Sequence, residues 1–253
     1  MSFSTRHRDR ERAESFGAGA GRYDRYRPDY PQELISDLQQ LKPTSVLDVG
    51  CGTGKAAAAL SARDLPTLGI EPDERMARLA QNKGIPVEIS NFETWDPGTR
   101  RFDLIVSADA WHWVDPERGA RQAANILPSG GHIARFWSFH VLEDSILEEF
   151  VKIYNKYAPE ASVGGGRQKS TESISDPLVN NIDFASAGQR TYRWELTLST
   201  EDWIGLICTF SDHQRLAPHS RAALLKCLRD VIENLGGSVR TSSGTFVQIA
   251  RRL

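Results

Sequence analysis

Residues 45–49, Ser-Val-Leu-Asp-Val, run directly into Gly50-Cys-Gly-Thr-Gly54 and then into an alanine-rich stretch, 55–62. A short β-branched apolar run, three alternate glycines and strong helix formers predict a strand, a tight turn and a helix in that order. At such a junction the backbone can approach a ligand closely, and the helix N-terminus offers unpaired N–H groups. A nucleotide-like ligand is therefore expected. A Walker A loop is excluded, because Val49 stands where its first glycine belongs and Ala56 where its hydroxyl residue belongs. A dinucleotide fingerprint needs glycine at position 55 and meets Lys55, although Glu71 has the distance from Gly50 expected of a ribose-binding acid. NAD remains the weaker competitor.

The strand–helix unit then repeats. Residues 67–71 read as a second strand, Asp73 as the cap of a helix carrying Met76, Leu79 and Ala80 on its apolar stripe, and Gly84 as its stop. Residues 87–89 and 102–107 read as the third and fourth strands. Asp115 caps a helix with Pro116 in its first turn, and Pro128-Ser-Gly-Gly131 turns into a fifth strand over 132–137. Pro31 opens an earlier helix through Leu34, Ile35, Leu38 and Leu41. This alternation predicts a mostly parallel sheet with helices on both faces. After Ser138 the pattern changes to an amphipathic helix through Ile146, Phe150 and Tyr154 and a Gly- and Ser-rich loop over 158–189. A strand over 191–198, helices over 200–210 and 220–235 and a last strand over 245–250 follow.

Lys plus Arg (31) nearly balance Asp plus Glu (33), so no overall positive field exists to hold a nucleic acid. No apolar run reaches the ~20 residues of a membrane span. Cys51, Cys208 and Cys227 form neither a Cys-x-x-Cys pair nor a Cys/His cluster, which points away from a disulfide framework or a zinc site and toward a reducing, cytoplasmic setting. The Arg-rich N-terminus lacks the apolar core of a signal peptide and reads as a mobile arm, either a plain tail or a lid that orders on a ligand.

Val46-Leu-Asp48-Val-Gly50-Cys-Gly52-Thr-Gly54 resembles motif I of the class I S-adenosylmethionine (SAM) dependent methyltransferases. Gly69-Ile-Glu71-Pro72-Asp73 with Met76 is similar to the family's second motif, whose acid takes both ribose hydroxyls. Ser90-Asn91-Phe92-Glu93 stands where many members have Gly-Asp-Ala-Glu, so the resemblance gives the adenine amino group to the Asn91 carbonyl and an adenine face to Phe92. Asp109-Ala-Trp111-His112-Trp113 resembles the Gln-Ala-Phe-His-Trp segment of a subgroup related to trans-aconitate methyltransferase, with Asp109 in place of Gln. Tyr23-Asp-Arg-Tyr26-Arg27-Pro-Asp-Tyr30-Pro31 resembles that subgroup's Tyr-x-x-Tyr-Arg-Pro-x-Tyr-Pro motif, which folds over the cofactor. These matches span roughly residues 22–138.

The resemblance implies a Rossmann-like, seven-stranded, mostly parallel α/β sheet whose last strand is antiparallel, with a helical cap. On that reading residues 1–30 are the arm, 31–138 the SAM-binding core, 139–190 a cap helix and flexible loop, and 191–253 the part completing the sheet. The cofactor is SAM, leaving as S-adenosylhomocysteine; methyl transfer from a sulfonium requires no metal, and a small-molecule acceptor is expected, with no nucleic acid or membrane partner. Cofactor contacts are expected from Tyr23, Tyr26, Arg27, Asp48, Gly50, Gly52, Gly54, Glu71, Pro72, Met76, Asn91, Phe92, Ser107 and Asp109. Trp111, His112, Trp113 and Trp137 are the candidates for the acceptor, each tryptophan having a core role as its alternative. Asp48 either caps the loop's own amides or reaches the ligand's amino group indirectly. His112 is the candidate base for a hydroxyl or amine acceptor, or else it shapes the pocket. A carboxylate acceptor needs no base. A non-catalytic SAM-binding protein and a nicotinamide-dependent dehydrogenase are the competing functions.

Overall fold

A computed structural model describes residues 3–9, 12, 15–165, 178 and 181–253. Its seven strands are β1 (Val46–Val49), β2 (Thr67–Ile70), β3 (Val87–Glu88), β4 (Leu104–Ala108), β5 (His132–Leu142), β6 (Phe184–Ser199) and β7 (Ser238–Arg252), in the order β3-β2-β1-β4-β5-β7-β6. Pairings from β3 through β5 are parallel, and β7 lies antiparallel to both β5 and β6. This is the Rossmann-like arrangement the motifs imply, with β7 the one reversed strand.

The helices are α1 (Ala20–Tyr26), α2 (Gln32–Gln40), α3 (Lys55–Ser61), α4 (Glu74–Asn82), α5 (Pro116–Ile126), α6 (Asp144–Tyr157), α7 (Thr200–Ile207), α8 (Ser211–Gln214) and α9 (Pro218–Asn234). Two starts follow the caps read from the sequence. Asp73 accepts from the Arg75 and Met76 amides, and Asp115 from those of Glu117 and Arg118 with Pro116 next in line. The period of two along the strands then builds two cores. Leu47, Val49, Ile105 and Ile133 pack on α5, while Val46, Leu104, Val106 and Phe136 pack on α2 and α3.

A third core differs from the expected layout. Phe150 and Tyr154 of α6 pack with Trp203 and Leu206 of α7 and Leu224, Leu228 and Ile232 of α9. The helical layer beside the sheet therefore joins residues on both sides of β6, because the long β6–β7 hairpin carries α7 to α9 back over α6. That hairpin also extends β5: its partner β7 runs antiparallel along all eleven residues from His132 to Leu142, beyond the expected end at Trp137. Residues 184–189, expected in a loop, are strand paired with β7, with an irregularity at Ser186/Gly188. The remainder of that expected loop lies partly outside the described residues.

The glycine turn is left-handed at Gly50, Gly52 and Gly54. Gly54, with φ +79°, caps α3, and a Cβ there would sit 2.8 Å from the Ala80 Cβ on α4. Backbone strain and overpacking act together at this point, so Gly54→Ala is expected to lower unfolding stability by about 2–4 kcal/mol, as measured by urea denaturation.

Candidate functional site

At the C-terminal ends of β1, β2 and β4 the chain direction reverses across the sheet, because the connections lead outward to opposite edges. Ligands of open parallel sheets bind at that crevice. Here it is a cleft of about 740 Å³, with Val49, Gly50, Gly52, Ile70 and Glu71 at its base. Pro72, Met76, Asn91 and Phe92 form one wall, and Phe16, Tyr23 and Trp113 stand on the side of the arm.

Glu71 is held from two directions. One carboxylate oxygen accepts from the Gly52 amide at 2.9 Å and the other from the Asp73 amide at 2.9 Å. The group thereby ties the glycine turn to the cap of α4, and each oxygen keeps further acceptor capacity for a hydroxyl. Burial raises its pKa to about 7, with Asp73 adding to the rise and the two amides opposing it. Asp48 lies one layer deeper, fully buried behind the turn. Its pKa is also raised to about 7 by burial, partly offset by the Ala57 amide and increased by Glu71, and its oxygens make no hydrogen bond of ordinary geometry among the described residues.

A second, smaller cleft continues from the first past Gly50 and Gly52 toward Arg27, Tyr30 and Lys55. A third, of about 850 Å³, opens on the far side and is lined by Arg6, Arg12, Arg27, His112, Trp113 and Trp137, together with Ser138 and Asp212. Tyr23 and Asp109 border all three. Asp109 has φ +54°; its carboxylate accepts from the Ser138 amide at 3.0 Å and the Tyr30 hydroxyl at 3.3 Å. Burial raises its pKa against the pull of Arg27 and these hydrogen bonds. The Asp109 for Gln exchange thus places a carboxyl at the junction of the clefts.

The arm covers this junction. Lys83 pairs with Asp24, Lys55 with Asp29 at 2.7 Å, and Arg27 donates to the Thr209 hydroxyl at 2.8 Å while lying over the rings of Tyr23 and Phe210. Arg12 donates to the Ser211 hydroxyl at 2.8 Å and Arg215 pairs with Asp9 at 2.8 Å. Within the run Gly17-Ala-Gly-Ala-Gly21, glycine is required at position 17, since a Cβ there would fall 2.0 Å from the Asp73 carboxylate. The described arm residues therefore form short helical turns docked on both the core and the cap, where the sequence suggested an unanchored segment.

Several expected contacts lie elsewhere. Tyr26 borders none of the three clefts; its ring covers Gly205 and its hydroxyl donates to Glu201 at 3.1 Å, anchoring the arm to α7. Trp111 is buried in the core beside Phe92, with ring centroids 5.9 Å apart, which is its alternative role. Ser107 is buried and donates to the Val49 carbonyl at 2.9 Å, fastening β4 to β1, and Gly54 serves helix packing. Of the residues that border the clefts, Phe16, Arg6, Arg12 and Asp212 escaped the sequence reading. They come from the arm and from α8, distant segments that meet only in the folded chain. The residues present fit such a cofactor: glycines that line the cleft with main chain alone, and a buried acid positioned at the end of β2.

Residues 23–135 match a family described as a methyltransferase domain. This part of the chain, somewhat under half of it, is similar to that family. The chain is 33% identical over 132 residues to an uncharacterised methyltransferase of Mycobacterium tuberculosis, covering 51% of this chain and 54% of that protein. It is 31% identical over 147 residues to a probable S-adenosylmethionine-dependent methyltransferase of Saccharomyces cerevisiae, covering 53% and 50%. A trans-aconitate 2-methyltransferase of Rhodococcus jostii is 32% identical over 113 residues, covering 44% and 43%. The chain thus spans about half the length of these relatives. A solved structure described as a putative type II methyltransferase from Anaeromyxobacter dehalogenans superposes with a TM-score of 0.65 over 89% of this chain and 98% of that one, at 17% identity, a likeness of fold.

Proposed function

We propose that the protein transfers the methyl group of SAM to a carboxylate oxygen of a small organic acid. The observation that carries this reading is the third cleft, where Arg6, Arg12 and Arg27 border the same space as His112, Trp113 and Trp137, adjacent to the cofactor cleft across Tyr23 and Asp109. Guanidinium groups recognise carboxylates through paired N–H donors, and the indole faces suit an aliphatic or planar carbon skeleton. The similarity to a trans-aconitate 2-methyltransferase, and the subgroup motifs at Tyr23–Pro31 and Asp109–Trp113, agree with an acid acceptor.

SAM supplies, when bound, a methyl group already activated by a positively charged sulfur. A carboxylate acceptor gives no proton to be removed. The chain's task is then alignment and exclusion of water. Glu71 and Asn91 would hold the nucleoside end, Gly50 and Gly52 would approach the chain of the cofactor, and Tyr23 with Phe16 and Trp113 would cover it. Three free thiols, at Cys51, Cys208 and Cys227, suit the reducing cytoplasm expected from the sequence.

Methyl-labelled SAM incubated with a panel of di- and tricarboxylic acids, trans-aconitate included, is expected to yield a labelled ester. SAM binding without transfer to any member of a broad acid, alcohol and amine panel would favour the non-catalytic reading, and tighter binding of NAD than of SAM the dehydrogenase. The arm supplies a separate prediction. Amide exchange across residues 20–30 is expected to slow when S-adenosylhomocysteine is added, because Tyr23 gains a ligand to cover. Equal exchange with and without it, measured by mass spectrometry, would leave the arm a purely structural strap.

A further inference from the structure

His112 borders the third cleft from the short 3-10 turn Trp111–Trp113, its ring 4.7 Å from that of Trp113. Its partner on the sheet side is Trp137 of β5, whose indole N–H donates to His112 Nδ1 at 3.3 Å. An indole nitrogen can only donate, so Nδ1 must accept, and a neutral imidazole must then carry its proton on Nε2. We propose that Trp137 is a positioning residue that holds His112 as the Nε2-protonated tautomer, so that His112 meets the acceptor as a hydrogen-bond donor and not as a base.

Trp137 is well suited to impose this choice. It is buried at 5% exposure within the longest parallel-paired strand and stacks on Phe246 of β7, with ring centroids 6.4 Å apart and planes within 23°. Burial and this stacking hold the indole in place, whereas His112 lies on a half-buried turn. The charged groups that border the same cleft are Arg6 and Arg12 from the arm, Arg27 after α1, Asp109 after β4 and Asp212 of α8. With Nδ1 occupied, the imidazole has no lone pair to offer a hydroxyl or amine through Nε2. The selectivity consequence is specific: an acceptor that must lose a proton during transfer finds no base here, while a carboxylate finds a donor. This inference rests on the acid-acceptor reading for its purpose, but the tautomer itself does not.

Long-range ¹H–¹⁵N NMR of the wild-type protein with S-adenosylhomocysteine, recorded above the imidazole titration, tests it directly. The His112 signals are assigned by their loss in His112→Gln. A single tautomer with the proton on Nε2 is expected, and Trp137→Phe, which keeps the ring and removes the N–H, is expected to give a mixture of both tautomers. A proton on Nδ1 or a mixture in the wild type would overturn the proposal without recourse to any variant. So would an unchanged single tautomer in Trp137→Phe. Because no acceptor is used, failure of the acid panel to be methylated leaves this outcome readable on its own.

Discussion

Glu71→Ala is expected to weaken SAM binding by about tenfold to several hundredfold, since hydrogen bonds to a charged acceptor contribute roughly 1.5–3 kcal/mol each and water restores part of the loss. Two effects contribute. On the proposed reading the ribose hydroxyls lose their acceptor, and the amides of Gly52 and Asp73, both held at 2.9 Å by this carboxylate, lose theirs. The glycine turn therefore loosens in the variant, at a cost in stability of about 1–3 kcal/mol for unsatisfied buried donors. Glu71→Gln separates the two, because its amide keeps one acceptor oxygen at the same reach. Isothermal calorimetry on both variants, with circular dichroism to verify folding, gives the result; an alanine variant that binds SAM as tightly as the wild type would remove Glu71 from the ribose.

The dual use of Glu71 illustrates which parts of this molecule the sequence discloses. Its place at the end of β2 follows from local pattern: a β-branched run, a cap at Asp73 and a fixed distance from Gly50. The same kind of local signal specifies β1 to β5 and the caps of α4 and α5, where neighbouring residues decide the structure. What is decided by distant residues is poorly legible. Asp109 gave no indication that the Ser138 amide and the Tyr30 hydroxyl would bind it, and nothing near Arg6 or Arg12 in the chain pointed to Asp212 and Ser211. Tyr26 shows the opposite failure. Its motif resembles that of the subgroup, yet the smallness of Gly205 lets the ring lie on α7 and away from the clefts. Trp111 and Trp113, two residues apart, separate by the same logic, because the 3-10 turn directs one toward Phe92 in the core and the other into the cleft.

The affinity for SAM is expected to fall as pH drops below about 7, approaching tenfold per pH unit for each proton linked to binding. Ribose hydroxyls donate, so on the proposed reading the bound state favours the ionised form of Glu71, whereas burial raises the pKa of the ligand-free group to about 7. Binding near neutrality must therefore release a proton. Above pH 7 the carboxylate is already formed and the affinity levels off. Asp48, raised to the same region, adds to the slope to the extent that the ligand favours its charge, and Asp48→Asn isolates that share. Affinity is a cleaner readout than thermal stability. The two raised carboxyls make folding less favourable as pH climbs from about 4 to 7, since the folded chain holds protons that the unfolded chain has lost. His140, buried against Ser243 and lowered to about 4, acts in the opposite direction over the range up to about 6.5, because there the unfolded chain binds the extra proton. The two trends oppose each other in a melting curve but not in a binding constant. Calorimetry at pH 5, 6, 7 and 8 in buffers of different ionisation enthalpy should show proton release that fades above pH 7 and a steep affinity loss below it. Glu71→Gln should flatten that profile; an unchanged slope in this variant would move the titrating group away from Glu71.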